Sequence, residues 1–176
     1  RSFSDWPSSL PWYSIERGSS GQRPHDANDF EASFRVGYDQ HALYVAVQVR
    51  DESFVDTVDL NPMSQDSCSI FLDVQHIAER TAPIQFDILG NGSPRRAPGP
   101  AAFWSYQRKG PQHCYEDEMR FDIQRIRPQV KVTPGLVVGL DLIIWDRDSG
   151  HQGPTGVSWG PIFRKHGCSD RLGDIL

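Results

Sequence analysis

Residues 42–50, ALYVAVQVR, place Leu43, Val45, Val47 and Val49 on one side and Tyr44, Ala46, Gln48 and Arg50 on the other. Successive side chains of an extended chain point to opposite faces, so a period of two marks a strand with one face buried. Phe34, Val36 and Tyr38 show the same period just upstream, and the short polar link Asp39-Gln40-His41 makes the two runs a hairpin. Further strands are predicted over 67–74, 83–89, 118–126, 136–145, 157–163 and 171–176, with a short one near Phe103, Trp104 and Tyr106. Asn91-Gly92 is a turn signal, and the Pro-rich residues 93–101 are expected to form a loop. No segment carries a sustained helical period. About eight or nine short strands separated by turns predict an all-β fold, an antiparallel β-sandwich of jelly-roll or immunoglobulin-like type.

At 176 residues the chain is long enough for one domain with a real core. Residues 1–28 are rich in Ser, Pro and Gly, and Trp6 and Trp12 stand among them. They are expected to form an irregular arm lying over a domain of residues 29–176. The net charge of −5 argues against a nucleic-acid partner, although Arg95-Arg96 and Arg125-Ile126-Arg127 are locally basic. No run approaches the length of about 18 apolar residues that spans a bilayer, so no membrane contact is expected in this segment. The chain starts at Arg1 and carries no visible signal peptide, which suggests a piece of a longer protein. Of the three cysteines, Cys68 lies in an apolar run and is expected to be a buried thiol. Cys114 and Cys168 form a disulfide candidate if the domain is exported.

The last third concentrates the chemistry. An apolar strand over 136–144 runs into Trp145, Asp146, Arg147 and Asp148, and Trp159 follows across the turn. Aromatic faces stack on the C–H side of sugar rings, and nearby polar groups take the hydroxyls. Trp159 and Trp145 are therefore candidate stacking residues, joined by Trp104 on its Pro-rich loop. Arg147, Asp87 and Gln85 are the candidate hydrogen-bonding partners. Asp146 and Asp148 are candidate calcium ligands, since hard cations take clustered oxygens; a turn stabilised by the same Asp side chains is the competing reading. Asp51, Glu52, Asp56 and Asp59 form a second acidic group without EF-hand spacing.

The order of these pieces resembles the family 9 carbohydrate-binding modules and their DOMON-like relatives over roughly residues 30–176. The matching elements are Phe34 to Asp39, Leu43 to Val47 with Asp51 after it, the Asp-Ser-x-x-Ile-Phe-Leu-Asp run of Asp66 to Asp73, and Gln85-Phe86. Gly135, Gly139 and Asp141, the Asp146 and Asp148 turn, Ser158-Trp159 and Leu172-Gly173 complete the series. The resemblance implies a non-catalytic sandwich that binds sugar ends between aromatic rings, with structural calcium in some members. It further implies an extracytoplasmic, bacterial-type setting, either as the sensing ectodomain of a membrane receptor or as a module tethering an enzyme to a glycan. Other domains of the same polypeptide and a carbohydrate or related polar ligand are then the partners. Three positions depart from the pattern. Pro62-Met63-Ser64 stands where an aromatic platform belongs, Ser69 replaces a Glu, and Asp87 lies near where an Arg is usual.

The departures support an alternative, a structural or protein-interaction module that kept the fold and lost the sugar. A remote alternative is b-haem binding through Met63 and one of His76, His113, His151 or His166, although a lone Met is commonly an apolar filler. Asp87 and Asp141 are nominal carboxylates for glycoside hydrolysis, but no catalytic motif accompanies them, so no enzyme is expected.

Overall fold

The computed structural model describes residues 6–20, 29–74, 83–96, 104–148, 153–160 and 173–175. Two antiparallel sheets pack face to face. The first has five strands in the order β1 (Tyr13–Ser14), β3 (Phe30–Tyr38), β4 (Ala42–Asp51), β9 (Cys114–Asp122) and β8 (Trp104–Lys109). The second has seven, ordered β2 (Arg17–Ser20), β11 (Thr155–Ser158), β10 (Val138–Asp146), β5 (Ser67–Asp73), β6 (Ile84–Ile88) and β7 (Pro94–Arg96), with β12 (Gly173–Ile175) also paired to β10.

The period-two pattern decides which side chains meet. Across the first sheet, Val36, Val45, Met119 and Tyr106 stand in one register row, and Leu43, Phe121 and Trp104 in the next. Facing them from the second sheet are Cys68, Ile70, Leu72, Phe86, Ile88, Leu140, Leu142 and Ile144, all under 2 % exposed. Burying each such aliphatic or aromatic side chain contributes about 1.5–3 kcal/mol before chain entropy is set against it. β5 and β10 are buried on both faces, so the outer face of the second sheet is also covered.

The expected sandwich is present, with differences at its margins. Residues 13–20, expected to be irregular, supply β1 and β2, one to each sheet. Ile15 between them is buried and donates its N–H to Ala32 O at 2.9 Å. The expected loop after Gly92 contains β7, where Pro94 is tolerated because β7 is an edge strand. The strand predicted to end at Ile126 stops at Asp122 instead. The Asp122 carboxylate accepts the Arg125 N–H at 3.1 Å, and that cap turns Ile123–Ile126 into one helical turn, α1. Asn91-Gly92 makes the predicted turn, with Gly92 at φ 77° and its N–H on Leu89 O. Cys68 is a buried free thiol as expected. Cys114 is an exposed free thiol; Cys168, weighed as its disulfide partner, lies outside the described residues.

Candidate functional site

Alternation along β10 sends Leu140, Leu142 and Ile144 into the core and Asp141, Ile143 and Trp145 to the opposite face. On that outer face the register sets Ile143, Ser69, Asp87 and Arg95 in one row across β10, β5, β6 and β7. Asp141, Phe71 and Gln85 form the adjacent row. Trp145 packs with Phe71 and Ile143 as a small apolar cluster. Its indole N–H donates to Ser69 Oγ at 3.2 Å, and Ser69 donates to Asp87 Oδ1 at 2.6 Å. Gln85 Nε2 donates to the same oxygen at 2.8 Å. The result is one continuous array of indole, hydroxyl, carboxylate and amide. Arg95, exposed, flanks it and donates to Leu60 O.

Three of the six candidate ligand residues thus meet here: Trp145, Asp87 and Gln85. Trp159 and Trp104 do not. Trp159 packs against Phe34 at 5.0 Å and Tyr13 at 6.3 Å between ring centroids, on the core side. Trp104 stacks on Phe121 with rings 3° from parallel and lies 5.3 Å from Phe86. Both are partly buried and pack against the core, Trp104 because its register position beside Phe121 shares the core face. Arg147 joins a different site, described below. Asp141, weighed as a catalytic acid, instead holds the backbone: its Oδ1 accepts from the N–H groups of Leu142 and Gly160, each at 2.8 Å. Ser69, Phe71 and Arg95 belong to the array but were not singled out as ligand residues from the sequence. Ser69 and Arg95 were visible only as a departure from a pattern and as a local charge.

A second constellation lies where β4, β5 and β10 end or begin. Carboxylate oxygens of Asp51, Asp146 and Asp148 lie within 4.8 Å of one another, and so do those of Asp29, Glu52 and Asp148. Asp66 borders the group. Its Oδ1 accepts the Arg147 backbone N–H at 2.7 Å, and its Oδ2 accepts the Val55 N–H. Asp51 Oδ1 accepts from Ser53 N at 2.9 Å. Asp146 Oδ1 is buried and makes no hydrogen bond. Burial foremost, then the neighbouring charges of Asp51 and Asp148, pushes the Asp146 carboxyl up to about 7. Burial likewise pushes up Asp51, with Asp66 as the next cause, and Asp66 itself despite its two backbone hydrogen bonds, each to about 7. An array of oxygen donors that repel one another and include an orphaned carboxylate oxygen fits a hard divalent cation.

Asp146 and Asp148 therefore do come together, and the two acidic groups read separately from the sequence merge through Asp51 and Glu52. Asp56 and Asp59 stay apart on an exposed loop, where Asp59 accepts the Asn61 N–H. Asp29 and Asp66 were missed as members. Met63 is 41 % exposed on a 3₁₀ turn, Pro62–Ser64, and His113 is exposed in the β8–β9 turn. His76, His151 and His166 lie outside the described residues. Among the described residues no helix is long and apolar enough to cross a membrane.

The fold and the array define a β-sandwich with a polar, aromatic-flanked site on one sheet. The chain belongs to the carbohydrate family 9 binding domain-like family, whose model matches residues 4–163. The structure is similar to a family 9 carbohydrate-binding module from Caldicellulosiruptor kristjanssonii solved with cellotriose. The TM-score is 0.77 at 19 % identity, over 94 % of this chain and 81 % of that one. The same module solved with glucose matches with TM-score 0.77 and 19 % identity, over 94 % and 83 %. No curated protein sequence matches this chain.

Proposed function

We propose that this domain is a non-catalytic carbohydrate-binding module whose ligand site is the outer face of the seven-stranded sheet. The observation that carries the reading is the array of Trp145, Ser69, Asp87 and Gln85 in hydrogen-bonding sequence. It gathers an indole, a carboxylate and an amide, groups of the kind that recognise sugar rings and hydroxyls, with exposed Arg95 beside them. Family membership supports the non-catalytic role, and the sugars bound by the Caldicellulosiruptor modules support cellotriose and glucose as first probes.

Isothermal titration with those two sugars is the test. Binding by the intact domain, weakened at least tenfold by Asp87→Ala or Gln85→Ala, is the expected result. A specific observation favours the second reading, an interaction module without sugar: Phe71, Ile143 and Asp87 are 3 % exposed and Trp145 6 %, so the array is closed. No heat at millimolar sugar, with the domain folded, decides for that reading.

The acid cluster supports calcium as a structural ion held by Asp51, Asp146 and Asp148. Carboxylate sites of extracellular modules fill at about 10⁻⁴–10⁻³ M calcium. Such a site favours an extracytoplasmic setting, as a sensing ectodomain or a glycan tether within a larger protein. Fusing the domain's parent protein to a reporter active only outside the cytoplasm tests this; a reporter that stays inactive overturns it.

A further inference from the structure

The other broad face of the molecule, the outside of the five-stranded sheet, carries a groove. Register places Arg35, Ala46, Glu118 and Gln107 in one row and Gly37, Tyr44, Arg120 and Ser105 in the next, across β3, β4, β9 and β8. Ala46 and Gly37 are small, and the arm fills the space above them. A Cβ on Gly37 would meet Leu10 Cδ1 at 3.3 Å and Trp6 Cζ3 at 3.4 Å. Trp6 donates its indole N–H to Glu118 Oε1 at 2.8 Å and stands edge-on to Tyr44 at 6.4 Å. The Arg35 guanidinium lies over both Trp6 and Trp12, at 4.8 and 4.6 Å from the ring centroids. The arm is therefore fixed by cation–π and hydrogen-bond contacts and ends the trough at β4.

Beyond that wall the face stays open among the described residues. A groove of about 480 Å³ is lined by Tyr44, Ser105, Gln107, Glu118 and Arg120 on its polar side. Glu118 uses one oxygen on Trp6, which leaves the other to accept. Ser105 and Gln107 are exposed and make no side-chain hydrogen bond among the described residues. Arg120 approaches Asp122 only at 3.9 Å. One acid and one base give the floor no net sign, which disfavours an anionic polymer. Without a deep apolar pocket the groove offers no anchor for a peptide side chain. Hydroxyl, amide, guanidinium and carboxylate beside a tyrosine ring match a neutral polyhydroxylated chain.

We propose that this groove is a second saccharide subsite, separate from the array on the opposite sheet, which takes a neutral oligosaccharide lying across β9 and β8. It shares only the class of ligand with the function proposed above. The test is isothermal titration with cellohexaose, paired with ¹⁵N chemical-shift mapping. The intact domain is expected to bind at two sites. Gln107→Ala/Arg120→Ala, both surface changes, removes one and leaves the other, and shifts at Ser105 and Gln107 disappear. Gln85→Ala removes the other and leaves those shifts intact. Binding at one site, unaffected by Gln107→Ala/Arg120→Ala, overturns the second subsite while the first stands. Binding at neither site overturns both.

Discussion

Asp117→Asn removes half of a charge pair set inside the sandwich. Asp117 is 0 % exposed, and its two oxygens accept from Arg108 Nε and Nη2, each at 2.7 Å. Arg108 Nη1 also donates to Gly90 O at 2.8 Å and Leu89 O at 3.2 Å, so the guanidinium ties β8 and β9 of one sheet to the β6–β7 turn of the other. It stacks on Tyr115 at 4.2 Å. Burial works against the charge on Arg108, but the hydrogen bonds and charge of Asp117 outweigh it, and the guanidinium pKa is raised. The asparagine keeps the shape and leaves a desolvated cation with no counter-charge. Breaking a buried pair in this way costs about 3–5 kcal/mol, against a total stability of roughly 5–15 kcal/mol. At about 2–4 °C per kcal/mol for a chain of this size, the melting temperature falls by roughly 6–20 °C. Replacing both residues, Arg108→Met with Asp117→Leu, removes the desolvation cost along with the pair. The double variant is therefore expected to be more stable than either Asp117→Asn or Arg108→Met. Urea denaturation of the set forms the measurement. A cost below about 1 kcal/mol for Asp117→Asn, or additive costs in the double variant, would refute the account of a dry, mutually dependent pair.

The acid cluster predicts a pH response of definite sign. Asp51, Asp66 and Asp146 titrate near 7 when folded, above the unfolded value of about 3.9. The folded state then binds more protons between those values, and stability of the metal-free domain falls as pH rises from about 4 through 7. Calcium at 1 mM (roughly the level at which extracellular sites fill) should raise the melting temperature at pH 8 more than at pH 5, and Asp146→Asn should reduce that gain. A flat profile would show the carboxyls to be ordinary. Trp159→Ala, partly buried against Phe34 and the core, is expected to cost up to about 3 kcal/mol by urea denaturation with sugar affinity unchanged; a lost affinity at full stability would return Trp159 to the ligand site. Gly110 has φ 93°, and a Cβ there would meet Cys114 O at 2.3 Å. Gly110→Ala should therefore cost at least about 1 kcal/mol, read as a lower melting temperature.

The candidate site was half legible. Trp145, Gln85 and Asp87 sit on strands whose existence was plain, but the face each takes was not. Both phases of β10 are apolar, because Leu142 and Ile144 face the core while Ile143 and Trp145 face the outer cluster. A strand buried on both sides loses the alternation that would report its orientation. Trp104, on the edge strand β8, and Trp159, just past β11, are partly buried against the core through tertiary packing.

The sequence by itself determined the strands, the Asn91-Gly92 turn and the sandwich class, because strand period and turn chemistry are local properties of the chain. It also held the family pattern over most of its length. Only the tertiary structure decided what those strands bring together. Asp29, Asp51, Asp66, Asp146 and Asp148 come from segments far apart in the chain, and the raised pKa values of Asp51, Asp66 and Asp146 arise from shared burial. Likewise, the Trp145–Ser69–Asp87 array and the Trp6–Glu118 wall exist through strand pairing and packing between residues distant in sequence, which no local pattern encodes.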